Sequence, residues 1–451
     1  MKKLFWSVLS FVSFTLSLAQ ASPQLDAFSE MTGVPAQTLQ HFFETQKNLR
    51  PQAGSGAECL PKLQHRTDAR EDFLICLAEK GRAGLDYKFF SDSIALKYGW
   101  IKQSRSEEIL KSIHLLFWLE EMTRERLAEQ GHMVGWYNLV KKEFLSTNDK
   151  SEFLFEDGDV VVGMGGSSIS AMISASTNPP QKNSHAFMVR VRDGKISTLE
   201  SLIETGVREF SWEHFKKSHY QSMTVLRWKD QQTRKAVAGQ ASDVALGFAK
   251  SKVPYDSAMD MQSQDKIFCS ELVFSTYEQV SGQKITLEYA QAKSDAVFEF
   301  VSRLGVHSRV VPSPGDLLGS SLFEIVGDFR TDQDPFRFWE AMTFGHVLFD
   351  QVEEGKKIGA GVPIRFASWT TAGINLPLKL LSHAFRQDLS IIPDSLGPAS
   401  LSLVVYVEKR LYQPILKSLQ KEKSLRSLHL MVLWQLAERM DEILTRRVDR
   451  K

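Results

Sequence analysis

One cysteine occupies a position where its thiol could act as a nucleophile. Cys269 lies between a polar, extended stretch and an apolar run in which Leu272, Thr276 and Val280 recur at helical spacing. This pattern predicts a helix from Ser270 onward, with the cysteine at or just before its first turn. Free N–H groups and the helix dipole at that end stabilise negative charge, and therefore a thiolate. Because a lone cysteine is otherwise a small buried hydrophobe, catalysis requires a base from elsewhere in the chain.

A histidine and a glutamate upstream could supply that base. Two strand-like runs, 185–191 and 196–200, flank Asp193-Gly194, which is a strong signal for a two-residue hairpin loop. In that register His185 and Glu200 are diagonal neighbours on an otherwise apolar face, and a carboxylate that orients an imidazole makes a general base for a thiol. A loop one residue longer or shorter would put them on opposite faces. In the alternative interpretation, His185 only ends a strand and Glu200 begins a turn.

Two other clusters resemble ligand sites but lack the required spacing. The run 163–168, Gly-Met-Gly-Gly-Ser-Ser, matches neither a dinucleotide fingerprint nor a P-loop, so we expect a mobile loop lining a cleft. Glu213, His214 and His219 suggest zinc, but two histidines five residues apart do not share a helix face. The sequence therefore predicts no metal and no cofactor.

The N-terminus has the pattern of a secretory signal peptide. Lys2 and Lys3 precede an apolar run, 4–18, and Ala19-Gln20-Ala21 offers a cleavage site. No later stretch is long and apolar enough to predict a membrane span. We therefore expect residues 1–21 to be removed and the mature protein to be periplasmic or secreted.

Cysteine count and charge add two constraints. There are three cysteines, and Cys59 and Cys76 are close enough in sequence to pair in an oxidising compartment, although the sequence leaves this open. If they pair, Cys269 remains as a free thiol that requires an explanation. The formal net charge is +1, from 55 basic and 54 acidic residues, which argues against a nucleic-acid partner.

Periodicity divides the chain into three parts after the signal peptide. Helical spacing predominates in 22–150, strand and helix signals mix in 151–330, and helical spacing returns in 331–451. The predicted fold class is α+β, a mixed α/β domain flanked by helical regions. The final helix, from near residue 424, ends in several arginines. This basic end is either solvated or in peripheral contact with the cell envelope.

The motifs of the middle part together resemble a known family. They are Gly158-Asp159-Val160-Val161, Ser184-His185-Ala186, Leu199-Glu200-Ser201, Tyr255-Asp256 with Phe268-Cys269-Ser270-Glu271-Leu272-Val273, and the later runs at 314–317 and 323–327. Over about residues 155–328 the chain resembles the circularly permuted branch of the NlpC-type superfamily, the YiiX/YebB-like proteins with a papain-like fold. In ordinary papain-like enzymes the cysteine precedes the histidine. Here His185 and Glu200 precede Cys269, as permutation requires.

The resemblance assigns a role to each of these residues. It implies that Cys269 is the nucleophile, His185 the base and Glu200 the residue that orients the imidazole. The backbone N–H of Cys269, at a helix start, is a candidate for stabilising an oxyanion. Contacts with substrate are expected from Tyr255, Asp256 and Ser270.

The expected function is that of an exported cysteine hydrolase. It would cleave amide bonds, in the peptides of cell-wall peptidoglycan, through an acyl-enzyme. The same three residues also serve ester hydrolysis or acyl transfer on lipid-derived substrates, which is the alternative. A third hypothesis is a non-catalytic envelope scaffold that keeps the fold, against which the intact nucleophile, base and carboxylate argue.

Overall fold

The computed structural model describes most of residues 152–356 and shorter parts of the chain on either side. Within 152–356 the gaps are 179–180, 204, 216–219, 262–264, 286–289 and 332–334. Outside it, apart from a few isolated positions, the described ranges are 32–45, 69–79, 133–138, 143–146, 403–419 without 405, and 439–446.

An eight-stranded sheet is the centre of the described structure. The described strands of both this sheet and a smaller one are, in chain order, β1 (Met133–Asn138), β2 (Glu143–Ser146), β3 (Val160–Gly165), β4 (Thr177–Asn178), β5 (His185–Arg192), β6 (Lys195–Leu202), β7 (Gly206–Ser211), β8 (Tyr220–Trp228), β9 (Ala290–Ala292), β10 (Val310–Val311) and β11 (Phe323–Thr331). The large sheet has the order β2-β1-β11-β8-β3-β5-β6-β7. Its neighbours are antiparallel except for the parallel pair β1 and β11. Strands β10, β9 and β4 form a separate small sheet.

Helices precede, cover and follow the sheet. They are α1 (Ala36–Thr45), α2 (Ala69–Glu79), α3 (Ser168–Ala175), α4 (Trp212–Phe215), α5 (Arg234–Ser251), α6 (Cys269–Ser281), α7 (Asp295–Ser302), α8 (Pro335–Glu353) and α9 (Gln413–Leu419), with a 3-10 helix at Pro314–Gly319 and a π-helix at Val407–Tyr412. The helix predicted from Ser270 onward corresponds to α6. Together with the antiparallel sheet, the helices confirm the α+β fold class.

Strand β3 is buried on both faces, which explains its continuous β-branched sequence. Val160 and Val162 pack into the core formed with α5 and α6. Val161, between them, faces an aromatic core that includes Phe155 and Phe187. A strand covered on both sides has no polar face, so the run lacks polar–apolar alternation.

The Gly-Asp pair before β3 holds the strand in place. Gly158 has φ +84°, and an added Cβ would lie 2.6 Å from Ala238, so glycine is required there. Tyr277 of α6 donates a hydrogen bond to the Gly158 carbonyl. Asp159 is buried and accepts two hydrogen bonds from Arg227, each of 2.7 Å. This part of the motif is therefore structural.

The hairpin between β5 and β6 has the register expected from a two-residue loop. Asp193 and Gly194 have φ values of +52° and +71°, as a type I′ turn requires. Val191 pairs with Ile196 and, further along, Met188 pairs with Leu199. The predicted register is confirmed.

The prediction of helix up to about residue 145 is wrong for residues 133–146. These residues form β1 and β2, and β1 pairs in parallel with β11, which lies far along the chain. Met-Val-Gly-Trp-Tyr-Asn of β1 is rich in residues that favour strands. The partner that orders it is distant in sequence, so local periodicity could not reveal the pairing.

Several other predictions concern the ends of the chain. The signal peptide and the start of the final helix lie outside the described residues, although 439–446 are helical. Cys59 and Cys76 form a disulfide, and Cys269 is a free cysteine. Among the described helices, none has an apolar stretch of the length needed to cross a membrane.

Candidate active site

The thiol of Cys269 lies at the first residue of α6. Phe268 caps the helix in an extended conformation, and its backbone N–H donates to Glu271 Oε2 at 3.2 Å. The cysteine is 6% exposed. Backbone N–H groups of Ala186 and Ser270 hydrogen-bond to its sulfur. These two donors favour a negatively charged sulfur. The Ser270 N–H belongs to the helix start, as the sequence predicted, whereas the Ala186 N–H comes from β5.

His185 and Glu200 meet beside this sulfur. His185 begins β5, and its Nε2 lies 3.1 Å from Glu200 Oε2 on β6. Thr198 donates its hydroxyl proton to the other carboxylate oxygen at 2.6 Å, which fixes the carboxylate. The imidazole also hydrogen-bonds to the Cys269 side chain. With Nε2 on the carboxylate, Nδ1 is the ring nitrogen left for the sulfur.

The three groups shift one another's protonation. Burial lowers the pKa of His185, but the hydrogen bonds and charges of Cys269 and Glu200 outweigh it and raise the pKa to about 10. Burial raises the pKa of the Cys269 thiol, but the imidazolium and the backbone donors lower it below its usual value. The resting form is therefore a thiolate–imidazolium pair.

Tyr220 is a fourth member of the site, and the sequence interpretation missed it. Its ring stacks parallel to that of His185, with centroids 6.1 Å apart, and its hydroxyl hydrogen-bonds to Glu200. Burial and the nearby charges of Glu200 and Cys269 raise the pKa of this phenol well above its usual value, so it stays neutral and donates. No sequence motif marks Tyr220. Only the pairing of β8 with β3 brings it here.

The residues predicted to contact substrate have different positions. Two cavities lie next to the sulfur, an open cleft and a smaller apolar chamber, and Tyr255 lines both of them. Ser270 lines one of them, and its hydroxyl donates to the Pro312 carbonyl at 2.8 Å. Asp256 lines neither of these two cavities. Its carboxylate accepts the backbone N–H groups of Ala258 and Asp260, both at 3.0 Å, and so shapes the loop after Tyr255.

An open cleft of about 1150 Å³ gives access to the thiol. Cys269, His185 and Tyr220 lie on its inner wall, and Gly165 and Gly166 of the glycine run also line it. The prediction of a loop over 163–168 is wrong in part, because residues 163–165 end β3 and Ser168 begins α3. The opposite wall comes from the C-terminal part of the chain, with Glu408, Tyr412, Gln413, Pro414, Leu416 and Lys417.

Hydrogen bonds attach that C-terminal wall to the junction between β3 and α3. Glu408 accepts the backbone N–H of Ser168 at 3.1 Å and its hydroxyl proton at 2.5 Å. Tyr412 donates to the Gly166 carbonyl at 3.1 Å. Both residues lie in the π-helix, an irregularity that often occurs at functional sites.

The backbone N–H of Cys269 remains available to substrate. Among the residues that the structure describes, no acceptor takes this N–H. Its place at the start of α6, next to the sulfur, is suited to an oxyanion.

Glu213 and His214, two of the three residues considered as a zinc site, have ordinary packing positions. Glu213 and His214 lie in α4, where the His214 ring stacks on Phe210 with centroids 4.5 Å apart. His219 lies outside the described residues. In the described part of the chain, no group of three or more histidine, cysteine, aspartate or glutamate side chains is arranged to hold a metal ion.

The fold and the order of the three groups define a permuted papain-like domain. A cysteine at a helix start meets a histidine and a carboxylate on a sheet, and both partners precede the cysteine in the chain. Residues 155–317 match the family described as permuted papain-like amidase enzyme, YaeF/YiiX, C92 family. The resemblance drawn from the motifs is confirmed over this segment.

The chain is similar to the crystal structure of metalloprotein yiiX from Escherichia coli O157:H7, at 20% identity and a TM-score of 0.33, over 39% of this chain and 97% of that one. No curated protein matches the chain.

Proposed function

We propose that this protein is a cysteine amidase in which Cys269, His185 and Glu200 form a catalytic triad. The observation that carries the proposal is the shared contact of an imidazole with a carboxylate and with a thiol at a helix start. The match of 155–317 to a family of amidases supports the same chemistry.

The geometry supports a two-stage reaction. The Cys269 thiolate attacks the carbonyl carbon, an S–C bond forms, and the displaced electron pair moves to the oxygen, which accepts the Cys269 N–H. The tetrahedral species collapses as the C–N bond breaks, and the His185 imidazolium gives its proton to the departing nitrogen. The acyl group now forms a thioester with the enzyme.

Water completes the second stage. His185 takes a proton from a water molecule whose oxygen attacks the thioester carbonyl. The C–S bond breaks, the carboxylic acid leaves, and the thiolate–imidazolium pair is restored. Glu200 keeps the imidazole in one orientation throughout and stabilises its charged form.

We propose an exported enzyme whose substrates are peptides of the cell wall. The signal-peptide pattern of residues 1–21 and the open, partly polar cleft support this substrate. The basic end of the chain, at Arg446, Arg447 and Arg450, is the proposed contact with the envelope. A lipid-derived acyl substrate is the second candidate, and an apolar chamber beside Cys269 favours it.

Labelling and product analysis test the proposal together. Iodoacetamide should modify Cys269 at neutral pH faster than a model thiol, and His185→Ala should abolish the excess. His214→Ala removes an exposed histidine outside the cleft and serves as the matched control. Slow labelling of the wild type would favour a non-catalytic scaffold. Muropeptide profiling and acyl-ester release, each with wild type and Cys269→Ala, would then identify the substrate.

A further inference from the structure

A second chamber opens on the sulfur, and it differs in chemistry from the open cleft. Its volume is about 130 Å³. The lining comes from α3, from α7 and the turn after it, and from β10 and the residues that follow. Its walls are mainly apolar and include Met172, Ile173, Phe298, Val301, Leu304 and Val311.

Three polar residues of this lining already have partners. Arg309 is its charged residue, and the guanidinium lies 4.3 Å from the Phe298 ring centroid and 2.5 Å from the Asp295 carboxylate. The hydroxyl of Ser270 donates to Pro312, and that of Ser308 donates to Val310 at 2.7 Å. An ammonium group placed in the chamber would therefore lose its water without meeting an acidic side chain of the lining, and a carboxylate would have to compete with Asp295 for Arg309.

Cys269 stands at the junction of the two spaces. It lines both of them, as do Tyr255 and Ser184. The open cleft has polar and charged side chains on its far wall, including Glu408 and Lys417. A carbonyl carbon bonded to the sulfur can thus direct one substituent into an apolar space and the other into a polar one.

We infer that the chamber is the acyl subsite and that it receives an apolar hydrocarbon group, while the polar amine lies in the open cleft. This inference rests on the proposed function, because it needs Cys269 to attack the carbonyl. The shared chemistry is hydrocarbon next to the carbonyl, which either a fatty acyl chain or an apolar amino-acyl residue can supply.

The size of the chamber limits the group that fits. An engineered apolar cavity of about 150 Å³ holds a benzene molecule, so this chamber accepts roughly six carbons. Burial of one methylene is worth about a four-fold gain in a rate that depends on binding. The gain should continue up to that length and then stop.

Affinity labelling tests the subsite without requiring turnover. Alkyl chloromethyl ketones place a chain of chosen length next to a carbonyl, and the thiolate displaces chloride as the S–C bond forms. The second-order rate of labelling of the full chain, measured by intact mass, should rise about four-fold per methylene from the methyl to the pentyl compound. The nonyl compound should gain nothing further. N-acetyl-leucyl and N-acetyl-phenylalanyl chloromethyl ketones form the amino-acyl arm.

Two neighbouring valines provide a matched pair of variants. Val311 lines the chamber, whereas Val310, next to it in β10, is 43% exposed. Val311→Phe should remove the dependence on chain length, and Val310→Phe should keep it. Ala292→Leu fills the chamber from β9, the neighbouring strand of the same small sheet, and covers the case in which Val311→Phe does not fold.

The outcomes are separate from those of the proposed function. A labelling rate independent of chain length in the wild type, or an unchanged slope in both chamber variants, would overturn the subsite. Iodoacetamide is too small to report on the chamber and should label the wild type and the folded variants at Val310, Val311 and Ala292 equally. If it labels wild type no faster than a free thiol while the chain-length slope persists, the amidase proposal fails and the chamber stands as a binding site.

Discussion

Replacement of His185 by alanine should change how the reactivity of Cys269 depends on pH. In the wild type the imidazolium and backbone donors lower the pKa of the thiol, while the pKa of His185 is raised to about 10. The thiolate should therefore persist across the neutral range. Without the imidazole, burial is the main influence left on the sulfur, and it raises the pKa of the thiol above its usual 9.0.

The size of the effect follows from the ionised fraction. A thiol with a pKa of 9 is roughly 1% ionised at pH 7 and roughly 0.1% at pH 6. Each unit by which a thiol pKa falls also makes its thiolate roughly three-fold less nucleophilic, which offsets part of the difference. We expect the variant to react roughly ten-fold more slowly than the wild type at pH 6, and its rate to rise about ten-fold per pH unit up to pH 8.

The assay is iodoacetamide alkylation followed by intact mass between pH 6 and 9. The wild type should show a nearly flat profile, and His214→Ala should match it. Parallel profiles for wild type and His185→Ala would refute the ion pair. A wild-type rate that climbs ten-fold per pH unit would refute it equally.

Four further predictions concern the surroundings of this pair. Glu200→Gln removes the carboxylate that stabilises the imidazolium, so amide hydrolysis should fall at least about 100-fold in steady-state assays; a smaller loss would mean that the imidazole is oriented by other contacts. Tyr220→Phe removes a hydrogen bond to that carboxylate and should cost roughly 1.5–3 kcal/mol of unfolding free energy in urea titrations, with labelling by iodoacetamide retained. Burial raises the pKa of Glu271 to about 8, so the folded state keeps a proton that the unfolded state loses above about 4.5, and stability should decline as pH rises from 5 to 8. Glu271→Gln retains an acceptor for the helix cap and should flatten that decline in thermal melts at several pH values; identical slopes would contradict the assignment. Cys59→Ser or Cys76→Ser opens a disulfide with a sequence separation of 17 and should lower unfolding free energy by roughly 3 kcal/mol, with unchanged hydrolysis at low temperature.

Two parts of the proposed triad were predictable because each depends on local chemistry. Asp193-Gly194 determines the turn type, the turn determines the register of the hairpin, and the register places His185 next to Glu200. The apolar spacing after Cys269 similarly determines where α6 begins. The pairing of the hairpin with the helix start came only from the family resemblance, since no local rule joins segments so far apart.

The rest of the site depends on contacts between distant segments. Tyr220 reaches Glu200 through sheet pairing, and the cleft wall at 408–417 follows a long stretch that the structure does not describe. The sequence pattern assigns strand β1 to a helical region, since its partner, β11, lies almost two hundred residues later and local periodicity does not reveal that pairing. Asp256 drew attention as part of a motif, yet its carboxylate serves the backbone of its own loop.

The attachment of Glu408 and Tyr412 to the start of α3 has a practical consequence for cloning. A fragment trimmed to 155–317 would lose one wall of the open cleft together with β1, β2 and β11. It would also leave β8 as an unprotected sheet border, which invites self-association. An inactive or insoluble fragment would therefore say little about the intact enzyme, and expression should span the chain through at least residue 419.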